Sequence, residues 1–223
     1  MADDPQNGED QGVKAFVADN TVVGAPSLVP EVRLHLASEA LALWHKTEAL
    51  AGEGLPPPFW AFAWAGGQAL ARHVIDTPDL VAGKTVLDLG AGGGLVAIAA
   101  RQAGARRVRA NEVDRFALAA IGMNAALNAA LIEVVASDLL DGPAGADVVL
   151  VGDLFYEKAL AARALAFLER AAKAGATVLI GDPSRSYLPQ ARLLPVATFS
   201  VPTPRALEDA DVKRTTVWTL REG

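Results

Sequence analysis

The stretch VGDLFYEK, Val151 to Lys158, follows an apolar run with an acid, two aromatic rings and a second acid. A strand that merely turns into a helix has no need of Asp153 and Tyr156 at that spacing. An acid and a phenol three residues apart can share one side of a helical turn. Such a pair could orient an amine, accept its proton through water, or wall it with an aromatic face. The plainer alternative is that Asp153 caps the next helix while Tyr156 packs on the core.

Other acids stand in comparable places. Asp88 lies two residues before Gly90 in VLDLGAGGG, Glu112 closes RVRANE, Asp138 closes VVASD, and Asp182 closes ATVLIGD. Gly90, Gly92 and Gly94 make a loop between a strand and a helix, a setting suited to a nucleotide. A dinucleotide fingerprint needs glycine three residues after Gly92, where this chain has Leu95. Asp88 would repel a pyrophosphate but favour a ligand carrying ammonium and sulfonium charges. S-adenosylmethionine carries both. Glu112, about 20 residues past the glycines, suits the two ribose hydroxyls. Asp138, with Leu139 beside it, suits the adenine amino group. Asp182 either rims the same crevice or starts a turn with Pro183.

These residues need a scaffold that gathers strand ends. From Lys84 onward, short β-branched runs alternate with helical patterns, the signature of βαβ units and a parallel sheet covered on both faces. VATFSVP and RTTVWTL lack a long helix between them and predict an antiparallel hairpin at the sheet edge. The expected fold is α/β, a doubly wound, mostly parallel seven-stranded sheet with a C-terminal edge hairpin and an N-terminal helical extension. Residues 1–13 read as a disordered acidic tail and 14–223 as a single domain, with 14–83 the extension and 84–223 the core. Within the extension, Val29 to Leu50 reads as one helix, and WAFAWAGGQALARHVI as another entered through a glycine pair. Ligands in such sheets bind beyond the carboxyl ends of the strands, where the acids converge.

Composition narrows the chemistry further. The 223 residues contain no cysteine, which removes thiolate metal sites, disulfides and cysteine nucleophiles. The three histidines, His35, His45 and His73, lack metal-ligand spacing, so no metal is expected. A net charge of −6 without a basic run argues against nucleic acid as partner. No apolar stretch approaches a membrane span, and the polar start resembles no signal or transit peptide. A cytoplasmic monomer is the expectation.

At this point the chain resembles the class I, Rossmann-like methyltransferases, and more narrowly the protein-lysine methyltransferases with a D-x-x-Y motif. It is most similar to those acting on the electron transfer flavoprotein β subunit. The resemblance rests on WAFAWAGGQALAR, VLDLGAGGG, ANEVD, GDLFYE, LIGDPSR and TTVWTL, in that order. It implies methyl transfer from S-adenosylmethionine to lysine ε-amines of that flavoprotein subunit, with Asp153 and Tyr156 as catalytic residues. Trp60 and Trp64 then become candidates for enclosing the cofactor and the lysine stem, although large aromatics at that spacing are usually core. Phe155 joins them as a candidate for substrate binding, as does Asp182. Asp153 either orients the amine or acts as its base. A carboxylate beside an ammonium also stabilises its charged form, which opposes deprotonation.

Other functions stay open on sequence alone. A small-molecule N-methyltransferase would share the cofactor site and label no protein. A non-catalytic module would bind cofactor without turnover. A nucleic-acid methyltransferase lacks its N-P-P-Y element here, and a dehydrogenase is opposed by Asp88 and Leu95.

Overall fold

The computed structural model describes residues 5–52, 54–203 and 210–221, and it opens with helix α1 (Pro5–Asn20). The sequence marks much of this segment as tail. Residues 1–4 lie outside the described residues, but from Pro5 the chain is helical. Val13 and Val17, one turn apart, are buried, and the Phe16 ring lies 5.2 Å from that of Phe116. That apolar stripe repays ordering the segment, which its acidic start conceals.

The helix expected over Val29 to Leu50 is also corrected. Strand β1 (Val22–Gly24) pairs antiparallel with β2 (Leu34–Leu36), and helix α2 begins only at Ala40 (Ala40–Ala51). Two asparagines, one in a later helix and one at its C-terminal cap, hold this segment in place. Asn124 Oδ1 accepts the His35 N–H at 2.8 Å, and Asn128 Oδ1 accepts the Arg33 N–H at 2.9 Å. Helical periodicity in Val29, Val32 and Leu34 thus reflects burial from turns and a short strand. Tertiary contacts override local propensity here.

After the triple proline, Phe59–Ala61 form a 3₁₀ turn that leads to helix α3 (Ala65–Asp76). The core then follows as β3 (Thr85–Leu89), α4 (Leu95–Gln102), β4 (Arg107–Asn111), α5 (Arg115–Leu127), β5 (Glu133–Val135), β6 (Val148–Gly152), α6 (Lys158–Lys173), β7 (Thr177–Asp182), β8 (Leu193–Pro202) and β9 (Val212–Leu220). Among the described residues, seven strands form one sheet in the order β5-β4-β3-β6-β7-β9-β8. The first five are mutually parallel. β9 runs antiparallel to β7, and β8 antiparallel to β9, as the expected edge hairpin.

Strict alternation sends β3 and β6 side chains to two buried faces. Val86, Val148 and Leu150 pack with α3 and α4, whereas Leu87, Val149 and Val151 pack with α6. No helix among the described residues is long and apolar enough to cross a membrane. Strand order reverses between β3 and β6, so the crevice for a ligand opens beyond their carboxyl ends.

Candidate active site

The glycine loop turns directly off β3. Gly90, Gly92 and Gly94 have φ of 66°, 53° and 83°, left-handed values that favour residues without a Cβ. A Cβ on Gly93 would stand 2.7 Å from the Trp60 carbonyl oxygen, so the loop and the 3₁₀ turn approach backbone to backbone. Below the loop lies Asp88, 1% exposed. Its Oδ2 accepts the Ala97 N–H of α4 at 2.9 Å. Burial pushes this carboxyl up to about 7, and the nearby Glu112 adds to the rise.

Glu112 follows β4 and serves as a clasp for the same loop. Its Oε2 accepts the Gly92 N–H at 3.1 Å, and its Oε1 the Val113 N–H at 2.7 Å. Burial raises its pKa against these hydrogen bonds. Asp138 lies three residues beyond β5, not at its end. Its Oδ1 accepts the Leu140 N–H at 3.0 Å, and its Oδ2 meets Arg163 at 2.9 Å. That capped turn and the Arg163 pair hold its carboxyl below the usual carboxylate range.

Across the crevice, β6 ends in an unusual turn. Asp153 has φ 55°, a left-handed backbone that an aspartate tolerates at some cost. The turn sends its carboxylate to the start of α3, where Oδ2 accepts the Gly67 N–H at 2.7 Å. Trp64, the N-terminal cap residue of α3, makes no side-chain cap, so Asp153 satisfies an end that lacks its own acceptor. Asp153 therefore caps a distant helix; α6 begins after Glu157 without a side-chain cap. On its other side, Asp153 Oδ1 accepts from Arg185 Nε at 2.9 Å and Nη2 at 2.6 Å.

Tyr156 is 44% exposed at the mouth. Its ring lies 5.2 Å from Phe59, which in turn lies 5.8 Å from Trp64. Burial, with the acids Glu112 and Glu157, pushes its phenol pKa up, so the hydroxyl stays protonated at neutral pH. Trp60 is buried and stacked on Phe116 at 6.5 Å.

One cavity of about 450 Å³ connects these groups, a volume within the range of small-ligand sites. Asp88, Gly90, Gly92, Glu112, Asp138, Trp60, Trp64, Asp153 and Tyr156 all line it. Three expected residues do not. Phe155 is fully buried on the α6 face among Leu87, Val149 and Val151, because the turn after β6 sends adjacent side chains to opposite faces. Leu139 packs against that same apolar cluster, and Leu140 lines the cavity in its place. Asp182 is wholly buried behind the wall, where its Oδ1 accepts the Arg185 N–H at 2.7 Å. Burial and the neighbouring Asp153 push its carboxyl up to about 6.

Several lining residues escape sequence reasoning. Arg185 stands three residues after Asp182 in GDPSR, but nothing in that spacing shows that it reaches back to Asp153. Phe59 hides among neighbouring aromatics, and Arg163 looks like an ordinary solvated cation on α6.

The comparisons with known proteins agree with this geometry. Residues 70–156 match the family model of the ribosomal protein L11 methyltransferase. Among solved structures, a ribosomal protein L11 methylase from Lactobacillus delbrueckii subsp. bulgaricus superposes with a TM-score of 0.51 at 20% identity, covering 72% of this chain and 81% of that one. A magnesium protoporphyrin IX methyltransferase from Synechocystis PCC 6803 gives 0.52 at 16% identity, covering 70% and 78%. Those two establish the methyltransferase fold. Whole-chain relatives are more specific: the electron transfer flavoprotein β subunit lysine methyltransferase of Danio rerio is 38% identical over 95% of this chain and 84% of its own. That of Homo sapiens is 37% identical over 94% and 82%. Matched at such identity across nearly its whole length, the chain belongs to the family of electron transfer flavoprotein β subunit lysine methyltransferases.

Proposed function

We propose that this chain transfers methyl groups from S-adenosylmethionine to lysine ε-amines of the electron transfer flavoprotein β subunit. The observation that carries the proposal is the meeting, in one cavity, of a glycine cradle over buried Asp88 with Asp153 and Tyr156 beneath an aromatic cluster. The residues fit the cofactor. A carboxyl raised to about 7 in the cavity wall gains from a cationic ligand that restores its charge. The left-handed glycines keep the cradle free of Cβ atoms, and the buried Trp60 indole N–H has no partner among the described residues.

Asp88 and the loop at Gly90 and Gly92 would hold the amino-acid end. Glu112 would accept from the ribose, and Asp138 with Leu140 would flank the base. When bound, S-adenosylmethionine supplies a methyl group on a cationic sulfur that departs as a neutral thioether. The acceptor lysine nitrogen would supply the electron pair for the new bond to that methyl group. An ammonium has no lone pair to offer, so the site must receive the lysine amine without its proton.

That proton sets the main demand on the protein. A free lysine has a pKa of about 10.4, so presenting it neutral at pH 7 costs about 4–5 kcal/mol. Phe59, Trp64 and Tyr156 enclose the entry with aromatic surface, which lowers an amine pKa by desolvation. The same rings favour a methylated ammonium product through cation–π attraction, about 0.5–2 kcal/mol each. Asp153, with both oxygens already accepting from the protein, acts as an orienting anchor and not as the base. Positioning alone can recover about 7–11 kcal/mol of a displacement barrier.

The test is incubation with radiolabelled S-adenosylmethionine and recombinant electron transfer flavoprotein, beside an Asp153→Ala variant. Label on a β subunit lysine that vanishes with the variant is the expected result. Label confined to small molecules, or to other proteins of a lysate, would refute the proposed substrate.

A further inference from the structure

Arg185 has no part in the function derived so far, yet it is built into the cavity with care. Its Nε and Nη2 both donate to Asp153 Oδ1, and the side chains are only 19% and 11% exposed. The guanidinium carbon lies 5.4 Å from the Trp64 ring centroid. Its own backbone N–H is anchored on Asp182, and the preceding Ser184 takes a left-handed φ of 74° that aims the loop back at the cavity. A planar cation set over an aromatic ring and doubly hydrogen-bonded to a carboxylate has little freedom to leave.

The pairing changes what an incoming lysine meets. A lone carboxylate beside the amine would stabilise the ammonium and raise its pKa, which opposes the deprotonation that transfer requires. A carboxylate already paired with a guanidinium exerts a far weaker field of that sign. It still offers oxygen lone pairs for alignment.

Charged groups around this point are mostly acidic. Asp182 stands behind at the end of β7, Glu112 and Asp114 face it from beyond β4, and Glu157 precedes α6. Asp88 lies under the glycine loop and Asp138 on the far wall. The first turn of α3 contributes only Ala65, Gly66, Gly67 and Gln68, with no charge. Among the described residues, the cations lining the cavity are Arg163 and Arg185, and Arg163 is held by Asp138 and Asp141.

We propose that Arg185 is a positioning residue for the acceptor amine: by pairing with Asp153, it cancels the field that would otherwise keep the docked lysine protonated. This rests on the lysine-methylation function above and assigns the residue that makes an acid-lined cavity usable by a neutral amine.

The experiment measures kcat for β subunit methylation from pH 6.5 to 10, at saturating cofactor and substrate, because kcat reports ionisation in the bound complex. Wild type, Arg185→Gln, Arg185→Lys and the double variant Asp153→Asn/Arg185→Gln are compared. In Arg185→Gln the acid limb should move to higher pH by about 1–3 units, the shift expected from one uncompensated charge nearby. Arg185→Lys keeps the cation, so its limb should stay with the wild type while kcat falls. The double variant removes both charges and should return the limb to the wild-type position.

An Arg185→Gln limb that coincides with the wild type, at whatever kcat, would overturn the inference, since a merely structural role lowers the rate without moving the limb. Should Arg185→Gln not fold, the double variant, which leaves neither buried charge unpaired, decides. A limb displaced upward in that protein by a unit or more overturns the inference too. A wild-type enzyme that methylates no β subunit lysine would overturn the underlying function and this inference with it.

Discussion

Gly66 in α3 and Gly181 in β7 pass so closely that neither could carry a Cβ: one on Gly66 would fall inside contact distance of the Gly181 carbonyl and 2.6 Å from Asp153 Oδ2. This crossing lets the start of α3 reach the carboxylate at the end of β6. Gly66 of AGGQALAR therefore serves a close approach that a Cβ would forbid.

Gly66→Ala should accordingly damage both stability and activity. The obstructing atom is backbone and cannot rotate away, so a destabilisation of about 2–4 kcal/mol is expected, at or above the usual cost of overpacking. Denaturant unfolding of the variant checks this, and wild-type stability there would mean that α3 and β7 can separate. Gly67→Ala, whose Cβ would lie 4.0 Å from Asp153 Oδ2, should be much milder.

Tyr156→Phe preserves the ring against Phe59 and removes only the hydroxyl. If that hydroxyl hydrogen-bonds the acceptor amine in the transition state, its loss, about 1–1.5 kcal/mol, lowers kcat roughly tenfold with little change in KM. Tyr156→Ala removes the wall as well and should raise KM for the protein substrate. Steady-state kinetics on the two variants separates the roles. Full activity in Tyr156→Phe would confine this residue to packing.

Buried acids give the ligand-free protein an unusual pH dependence. Asp88 titrates at about 7 and Asp182 at about 6 when folded, against an ordinary value of 3.8. Between those limits the folded state keeps protons that the unfolded state has released. Their stabilising contribution is thus complete below about pH 4 and lost as pH rises through 6 to 7. Asp88→Asn should remove much of this loss and be more stable than wild type at pH 8, by an amount on the order of 2–4 kcal/mol. Thermal unfolding of wild type and Asp88→Asn at pH 5 and pH 8 tests the sign, because the lowered pKa values of His35 and His73 act equally in both proteins; a stability difference that does not move in favour of Asp88→Asn between pH 5 and pH 8 would contradict it.

The same ionisation should govern the cofactor. If charged Asp88 receives its cationic end, affinity for S-adenosylmethionine should rise roughly five- to tenfold from pH 6.0 to 7.5, as the carboxyl goes from mostly protonated to mostly charged. Calorimetric titration measures this directly. Asp88→Asn should bind weakly and with no such rise.

Phe155→Leu distinguishes core from substrate wall. Because Phe155 is sealed among aliphatic side chains of the α6 face, the variant should lose about 1–3 kcal/mol of stability and leave KM for the protein substrate unchanged. A several-fold rise in KM without loss of stability would restore Phe155 to the site.

Much of this protein was legible in one dimension because its signals are local. Alternating β and α patterns, a glycine loop between a strand and a helix, and acids at strand ends determine a doubly wound sheet and the end at which its cavity opens. Asp88, Glu112, Asp138, Asp153 and Tyr156 were thereby named together, and all five line one cavity.

What local pattern cannot carry is the direction in which a side chain leaves a turn, or a partner far along the chain. Phe155 and Tyr156 are neighbours, yet one enters the core and the other the mouth, since the turn after β6 parts them. Val29 to Leu36 looks helical until Asn124 of α5 and Asn128 at its C-terminal cap claim its backbone. Arg185 reads as an ordinary turn residue, and only β6 and β7 lying side by side bring it to Asp153, 32 residues away. Short-range pattern dictates the sheet and the acids that edge its crevice. Which of those acids line the cavity, and which cation balances Asp153, was decided by packing between distant segments, because burial and charge pairing are properties of the folded surface and not of any short stretch of chain.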